Sequence, residues 1–212
     1  MKTKSCIVIG GGGHAKVLID MLNRNGYNIV GYSALSPSNQ EVFRELAYLN
    51  AEIDLDSKEF STIALFNGIG STGNPKKRKE VFEQWTRKGY PFPAIVHPLA
   101  FVADDVRLAD GAQVMVGAIV QPSSSVGENS IINTKSSVDH DCFVGNHVHI
   151  SPGAVLCGDV CVEDEAHIGA GAIIKQGIRV GMGSIVGAGA VVVNNIRPGT
   201  TVVGIPAREV SR

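Results

Sequence analysis

The chain has 212 residues, 44% of them hydrophobic, and a formal net charge of −1, so it can form one or two packed domains and has no basic surplus for nucleic acid. The apolar run at the amino terminus is only four or five residues long, too short for a signal peptide, and no stretch reaches the roughly 18 apolar residues of a membrane span. Four cysteines without a CxxC pair are typical of reduced thiols, and we expect a soluble, cytoplasmic protein without a membrane or nucleic-acid partner.

The first elements predict a strand, a glycine-rich turn and a helix. Residues 5–10, SCIVIG, are typical of a buried strand, and an amphipathic helix follows the turn GGGGHA. Gly10-x-Gly12-x-x-Ala15 matches the dinucleotide-binding fingerprint in its proper strand–turn–helix context. Such glycines let a phosphate approach the backbone at the helix N-terminus. A turn that only permits tight packing is the alternative.

The fingerprint lacks its acidic residue. The second strand, NGYNIVGY, runs into Ser33, Ala34 and Leu35, where a carboxylate would hold the ribose of NAD. We therefore expect a mononucleotide or a nucleotide sugar at this turn and not NAD.

A third strand (61–70) leads into a second glycine-rich turn, GIGSTGN, and a basic helix is predicted from near Pro75. Gly70 in this turn is a candidate substrate-binding residue. The extended segment GYPFPAIVHP then closes the domain, and we place the boundary between residues 95 and 96. The predicted fold class is α/β + β: a small Rossmann-like βαβ domain (1–95) and a parallel β-helix (96–212).

An internal repeat of six residues fills the second half. Every sixth position is Val, Ile or Leu, in the order Val102, Leu108, Val114, Val120, Val126, Ile132, Val138, Val144, Ile150, Leu156, Val162, Ile168, Ile174, Val180, Val186 and Val192. This period fits neither an α-helix nor an alternating strand. It predicts short strands joined by tight corners, three to a coil, in about five coils of 18 residues between residues 101 and 196. Residues i and i+18 should stack, as His149 on His167 and Gly158 on His140.

The segment DHDC, residues 139–142, carries chemistry as well as structure. An imidazole with a pKa near 6.5 is suited to take a proton from an amine at neutral pH, and the neighbouring carboxylate of Asp141 would raise its basicity. The N–H of Gly158, one coil above His140, is a candidate donor to an oxyanion, with a plain corner glycine as the alternative. Asp139 is expected to hydrogen-bond its own corner.

The repeat resembles the hexapeptide-repeat left-handed β-helix family. With the preceding domain, and on the segments GGGGHAK, IINTKSSVDHDCFVG, HISPGA and VVGIPAR, the chain is similar to the nucleotide-activated sugar acetyltransferases. These include UDP-4-amino-sugar and GDP-perosamine N-acetyltransferases and sialic acid O-acetyltransferases.

The resemblance implies a role for each of several residues. It makes His140 the base and Asp141 its orienting carboxylate. It places His149, Ala170 and Ala188 against acetyl-CoA, and Gly12, Gly13 and His14 against the nucleotide sugar.

The resemblance also implies an activity. We expect an acetyl-CoA-dependent N-acetyltransferase that acts on the 4-amino group of a UDP-4-amino-4,6-dideoxy sugar for surface glycan synthesis, without a metal, as a homotrimer with active sites between subunits. A GDP- or dTDP-linked sugar and O-acetylation remain open.

The charge is distributed unevenly along the repeat. Between residues 101 and 168, ten acidic residues face Arg107 and Lys135, whereas after residue 169 only Glu209 is acidic. The phosphates of coenzyme A need an electropositive surface, which predicts contacts with some of the late cations. The candidates are Lys175, Arg179, Arg197 and Arg208.

Two readings from other functional classes are kept. The stacked His149 and His167 could bind zinc in the manner of a γ-class carbonic anhydrase. A non-enzymatic assembly or nucleotide-sensing protein is the third possibility.

Overall fold

A computed structural model describes residues 4–50 and 63–210. The described residues form two compact units, one within residues 1–71 and 76–93 and the other within residues 72–75 and 94–212. No helix among them is long and apolar enough to cross a membrane.

The first unit is a four-stranded parallel sheet with two helices. Its elements are β1 Ser5–Ile9, α1 Gly13–Arg24, β2 Asn28–Ala34, a 3₁₀ turn Glu41–Phe43, β3 Ala47–Asn50, β4 Ala64–Asn67 and α2 Lys76–Arg87. The predicted strands and helices therefore form where the sequence places them. Part of the third predicted strand, residues 61–62, lies outside the described residues.

The strand order β3-β2-β1-β4 places a topological switch point between β1 and β4. In open parallel sheets the crevice beyond the carboxyl ends of the strands at this point is where ligands bind. Both glycine-rich turns lie there, because one follows β1 and the other follows β4. Apolar residues of β1 and β4, among them Ile7 and Leu65, pack with Phe82 and Trp85 of α2, so buried side chains fix the crevice walls.

The second unit is a left-handed parallel β-helix with three sheets. One sheet contains β7 Arg107–Leu108, β10 Ser125–Val126, β13 Phe143–Val144, β16 Cys161–Val162 and β19 Arg179–Val180. The second contains β6 Phe101–Val102, β9 Ile119–Val120, β12 Ser137–Val138, β15 Val155–Leu156, β18 Ile173–Ile174 and β21 Val191–Val192. The third contains β5 Ile95–Val96, β8 Gln113–Val114, β11 Ile131–Ile132, β14 His149–Ile150, β17 His167–Ile168, β20 Ile185–Val186, β22 Thr201–Val203 and β23 Arg208–Glu209.

All sixteen predicted aliphatic positions lie in or against the core inside the coils, and only Val102 and Leu108 in the first coil are partly exposed. Burial of each such side chain contributes about 1.5–3 kcal/mol of transfer free energy. The stacking rule is confirmed, since His149 pairs with His167 and Ile150 with Ile168 across one coil.

The corners confirm the need for positive φ. From Gly111 to Gly189, every sixth residue has positive φ, one in each corner of this stretch. Half of these positions are not glycine, and Asp141 is one of them, with φ of 61°. Aspartate tolerates this conformation better than most side chains, which allows a carboxylate at the corner that carries His140.

The β-helix extends beyond both predicted ends. At the start, Ile95–Val96 pairs with Gln113–Val114 and forms a first rung, and Val96 fits the six-residue step back from Val102. At the end, Val202 pairs with Val186, so the last coil is two residues shorter than the others. Pro198 occupies the position where the strict period would require an aliphatic residue, and the stacking continues only because the coil shortens.

Candidate active site

The two glycine-rich turns of the first unit are in close contact. A Cβ on Gly10, whose φ is +114°, would lie 3.0 Å from the carbonyl carbon of Gly68. A Cβ on Gly68 would lie 2.7 Å from the Cβ of Ala15 in α1. The turns can approach each other only because both residues lack side chains. Tight packing therefore explains these two glycines.

Gly12 and Gly13 have no such packing role. A Cβ on either of them would meet no atom within 4 Å. Gly12 is the N-cap of α1, and no side chain caps this helix end. The first turn of α1 thus has open space beside both glycines, as the close approach of a phosphate to the backbone requires.

His14 and Gly70 lie together at the same crevice. A Cβ on Gly70 would be 3.5 Å from the Cβ of His14. The four predicted substrate-binding residues therefore occupy one region of the first unit. They are Gly12, Gly13, His14 and Gly70.

A cavity of about 420 Å³ opens at the carboxyl ends of the strands. Its lining comes from both glycine-rich turns, the segment after β2 and one side of α2: Ile9, Gly10, Gly11, Ser33, Ala34, Leu35, Ser36, Pro37, Ser38, Ile69, Lys77, Val81, Gln84 and Trp85. Its volume is in the range of small-molecule pockets. The residues where NAD-binding proteins carry a carboxylate, Ser33 to Leu35, line this cavity without an acidic group.

In the second unit, His140 and Asp141 form a pair at the corner between β12 and β13. The Nδ1 of His140 lies 2.7 Å from the Oδ2 of Asp141, and their side chains are 54% and 60% exposed. With Nδ1–H donating to the carboxylate, the neutral ring keeps a lone pair on Nε2. The backbone N–H of His140 donates to Oδ1 of Asp139 at 2.8 Å, so Asp139 braces the corner as predicted.

Acidic groups around His140 raise its pKa above the ordinary value. The hydrogen bond that His140 donates to Asp141 has the largest effect, desolvation opposes it, and the charges of Asp139, Asp141 and Asp159 add to it. Asp159 belongs to the coil above, where its N–H donates to the carbonyl of His140 at 2.9 Å. A raised pKa makes the imidazole a stronger base.

Gly158 lies directly against the imidazole of His140. A Cβ at this position would be 2.5 Å from Cε1 and 2.6 Å from Nε2, so any side chain would displace the ring. Within the described chain, the N–H of Gly158 donates to no backbone carbonyl. The position thus combines space for the imidazole with a backbone N–H that has no backbone carbonyl as its partner.

His149 lies in β14, away from the His140 corner. Its Nε2 lies 2.9 Å from the amide nitrogen of Asn133, and its ring meets His167 edge to face at 5.1 Å. Burial lowers the pKa of His167. No group of three or more His, Cys, Asp or Glu side chains in residues 4–50 and 63–210 is arranged to hold a metal ion.

Asn133 was not singled out from the sequence. It follows β11, two residues after Ile131, which stacks directly under His149. The coil register could have revealed it, because a side chain two residues beyond the lower partner can reach the upper one.

Ala170 and Ala188 are exposed and stack at the corner that follows β17 and β20. The N–H of Gly189 donates to the carbonyl of Ala170 at 2.8 Å, which fixes the two coils in register. The strand of His149 leads into the same corner one coil below. Lys175 lies at the other end of β18, at the corner of His140 and two coils above Asp139.

Two of the four predicted coenzyme A cations have carboxylate partners. Arg179 Nε lies 2.7 Å from Glu163, and Arg197 lies 2.5 Å from Glu209. Lys175 and Arg208 make no ion pair with any described residue. The acidic stretch therefore already neutralises part of the basic one.

Comparisons with known proteins agree with this geometry. Residues 5–85 match the family described as the PglD N-terminal domain. The acetyltransferase domain of PglB from Neisseria gonorrhoeae, solved with acetyl coenzyme A, is 32% identical, with a TM-score of 0.90 over 98% of this chain and 100% of that one. A histidine-to-asparagine variant of perosamine N-acetyltransferase from Caulobacter crescentus, solved with CoA and GDP-perosamine, is 30% identical, with a TM-score of 0.90 over 100% and 99% of the two chains. WeeI from Acinetobacter baumannii is 26% identical, with a TM-score of 0.84 over 98% and 100%.

A sugar-nucleotide-type α/β unit followed by a β-helix with an exposed histidine–carboxylate pair defines a hexapeptide-repeat acyltransferase. The chain belongs to the hexapeptide-repeat nucleotide-sugar N-acetyltransferases.

Proposed function

We propose that the protein transfers the acetyl group of acetyl-CoA to the 4-amino group of a nucleotide-activated amino sugar, with His140 as the general base. The observation that carries the proposal is the 2.7 Å contact between His140 Nδ1 and Asp141 at an exposed corner, with the bare backbone of Gly158 against the ring. The solved relatives bound to CoA, acetyl-CoA or GDP-perosamine support the substrate class.

The residues perform the reaction as follows. The neutral amine attacks the thioester carbonyl carbon, a C–N bond forms, and the carbonyl π pair moves to oxygen. Nε2 of His140 takes the proton from the new ammonium, while Asp141 stabilises the imidazolium through Nδ1–H. The N–H of Gly158 donates to the oxyanion. When the oxygen pair returns, the C–S bond breaks, and the imidazolium gives its proton to the departing thiolate.

The diphosphate of the sugar nucleotide is assigned to the first turn of α1, with Gly12, Gly13, His14 and Gly70 beside it. The open space at both glycines and the uncapped helix end support this placement. The nucleoside would then occupy the 420 Å³ cavity.

We assign the nucleobase of the sugar nucleotide as uracil. Guanine presents two parallel N–H donors on one edge, which a carboxylate accepts best, and none of the described residues that line the cavity is Asp or Glu. The amide of Gln84 can both donate and accept, as the mixed edge of uracil requires. GDP-linked sugars are the principal alternative, because a GDP-perosamine enzyme is among the similar proteins.

The pantetheine of acetyl-CoA is assigned to a path from His149 past Ala170 and Ala188. The side chain of Asn133 orients the His149 ring, and the exposed backbone of the two alanines lies on consecutive coils. Lys175 and Arg208 are the two predicted cations without a carboxylate partner among the described residues, and we assign a phosphate contact to Lys175.

We further propose a homotrimer with active sites between subunits. The six-stranded sheet carries an exposed apolar ladder that includes Phe101, Ile119 and Ile173. The His140 corner borders this sheet on one side, and the Ala170 corner borders it on the other. A second copy packed against this face would bring His140 of one subunit toward Ala170 of the next.

An acetylation assay tests the proposal. The protein is incubated with acetyl-CoA and, in separate reactions, UDP-, GDP- and dTDP-linked 4-amino sugars, and products are identified by mass spectrometry and NMR. We expect an amide at C4 and the highest kcat/KM with the UDP sugar. An ester product, or a higher kcat/KM with the GDP sugar, would overturn the amine or the uracil assignment respectively.

A further inference from the structure

The corner that carries His140 and Asp141 differs from most other corners of the β-helix. In an ordinary β-turn the carbonyl of the first residue accepts a hydrogen bond from the N–H of the fourth. Eleven corners in the described part of the β-helix are closed in this way: His97–Ala100, Ala103–Val106, Ala109–Ala112, Met115–Ala118, Asn133–Ser136, Ser151–Ala154, Glu163–Ala166, Gly169–Ala172, Gly181–Ser184, Gly187–Ala190 and Arg197–Thr200.

At the corner Asp139–Cys142 the hydroxyl of Ser124 takes the place of the direct bond. Ser124 lies one coil below Cys142 and is 1% exposed. Its Oγ donates to the carbonyl of Asp139 at 2.8 Å and accepts from the N–H of Cys142 at 3.1 Å. The turn is therefore held open around a buried hydroxyl, and its two central residues are His140 and Asp141.

We propose that Ser124 is a positioning residue for the acetyl-transfer reaction, which holds open the turn that presents His140 and Asp141. The inference rests on the proposed role of His140 as the base. Ser124 does not face the reacting atoms, because its side chain points into the β-helix core.

Other corners of the β-helix have an alanine at the position that corresponds to Ser124, and they show how the turn closes without a hydroxyl group. An alanine lies one coil below the fourth turn residue at seven corners, and the turn closes directly at six of them, all but Gly127–Ser130. Ala94 lies under the turn that ends at Ala112, and Ala154 lies under the turn that ends at Ala172; their hydrogen bonds are both 3.1 Å. Ser124→Ala should close the Asp139–Cys142 turn in the same manner and rotate its two central side chains.

The chain offers a matched control. Ser130 Oγ donates to the carbonyl of Gly145 at 2.7 Å and accepts from the N–H of Val148 at 2.9 Å. The geometry is that of Ser124, with the same sequence separations of 15 and 18 residues. The central residues of this turn, Asn146 and His147, belong to no part of the proposed site, so Ser130→Ala should lose similar stability without the catalytic effect.

Conservative variants of Ser124 distinguish the effect of its hydroxyl group from the effect of its side-chain volume. Positions 106 and 160, which stack in the same interior column as Ser124, are valines, so the column accepts a β-branched side chain. Ser124→Thr keeps the hydroxyl and Ser124→Val removes it at nearly equal shape. The Thr and Val comparison therefore tests the hydroxyl even if Ser124→Ala folds poorly.

The experiment compares steady-state kinetics of the purified proteins at equal folded fraction. We expect kcat to fall about tenfold or more in Ser124→Ala and Ser124→Val, with KM for acetyl-CoA unchanged, because a misplaced base loses its alignment. Ser124→Thr and Ser130→Ala should stay within about threefold of wild type.

The pH profile gives a readout that a merely structural residue would not move. The groups that face His140 are Asp139 and Asp141 on its own corner and Asp159 from the coil above. A closed turn weakens the Asp141 contact and lowers the pKa of His140, so the acid limb of kcat/KM should move to lower pH in Ser124→Val but not in Ser130→Ala.

The outcomes are distinct. Wild-type kcat in Ser124→Val, an equal loss in Ser130→Ala, or an unmoved acid limb would overturn the inference. If the wild-type protein itself fails to acetylate any amino sugar, the proposed function fails, and a crystal structure of Ser124→Ala still decides whether the turn closes to a direct bond of about 3 Å between Asp139 O and Cys142 N.

Discussion

At the scale of single residues, the proposed chemistry rests on a corner where the exposed side chains of His140 and Asp141 meet. The φ of 61° at Asp141 shows that the side chain is placed by an unusual backbone conformation and not by a regular strand. Asp139 fixes the N–H of His140 and Gly158 leaves space for the ring. The backbone conformation of Asp141, the bond to Asp139 and the bare Gly158 thus position the pair.

The pH dependence of the reaction follows from this pair. The proposed base, His140, is active when neutral, and its pKa is raised above the ordinary value of 6.5, chiefly by its hydrogen bond to Asp141. The acid limb of kcat/KM should therefore lie above pH 6.5 and rise toward alkaline pH. Asp141→Asn should move that limb to lower pH and reduce kcat by roughly tenfold, less than loss of the base itself. A limb that does not move would show that another group controls the profile.

The DHDC segment, together with the family resemblance, predicted the base and its carboxylate, because the residue types and their adjacency are visible in the sequence. Ser124 was not visible in this way. Its proposed role depends on a side chain that fills the turn one coil above it, and a buried serine among small repeat residues does not reveal that contact in the sequence. The partners of Arg179 and Arg197 were also hidden, since Glu163 and Glu209 come close only through the coil register.

At the scale of elements, the uncapped N-terminus of α1 is the structural basis of the phosphate assignment. Gly12 has an extended backbone, with φ of −97°, that any residue can adopt, and a Cβ there would meet no atom. Gly12→Val should fold normally and raise KM for the sugar nucleotide by roughly tenfold or more, because the side chain blocks the phosphates. Acetyl-CoA binding, measured by calorimetry, should not change.

Gly68→Ala provides the contrast to that variant. Its Cβ would lie 2.7 Å from the Cβ of Ala15, so it should lower the melting temperature of the first unit. If Gly12→Val weakens both substrates equally, as a folding defect would, the phosphate assignment is wrong.

The corner that follows β18 makes a separate prediction for the cofactor. Lys175→Ala should raise KM for acetyl-CoA roughly threefold to tenfold and weaken its salt dependence, because a charge-assisted contact to phosphate is lost. Arg179→Ala is the matched control, since its guanidinium already pairs with Glu163 at 2.7 Å. Equal KM values for the two variants across a salt titration would place the phosphates elsewhere.

At the scale of the whole molecule, the six-residue period predicted the β-helix. Each strand and its following corner take six residues, and only this architecture buries one aliphatic side chain in each such unit. The same period did not mark its ends. The first rung, Ile95–Val96, lies in a proline-rich segment whose sequence is typical of a connecting loop. The last coil is shorter by two residues near Pro198. In the first unit, the glycine fingerprint and the strand order indicate the same ligand-binding crevice, because the glycines lie at the topological switch point.

The assembly is tested on the exposed apolar ladder of the six-stranded sheet. Light scattering at micromolar concentration should give three times the chain mass of 22.3 kDa. Arginine at both Ile119 and Ile173 should dissociate the trimer, because it places charge on an apolar interface. Met182→Arg is the control, since this residue is 52% exposed at the corner between the other two sheets. A monomeric wild-type protein would contradict the assignment.

The most direct test of the account is the rate of coenzyme A thiol release with acetyl-CoA and the preferred 4-amino sugar, measured for wild type and His140→Ala at saturating substrate. The account predicts a kcat about 10²–10⁴ lower in the variant, the usual contribution of a general base, with the oligomeric state and acetyl-CoA binding unchanged. Near-normal turnover by His140→Ala would contradict it and remove this histidine from the mechanism.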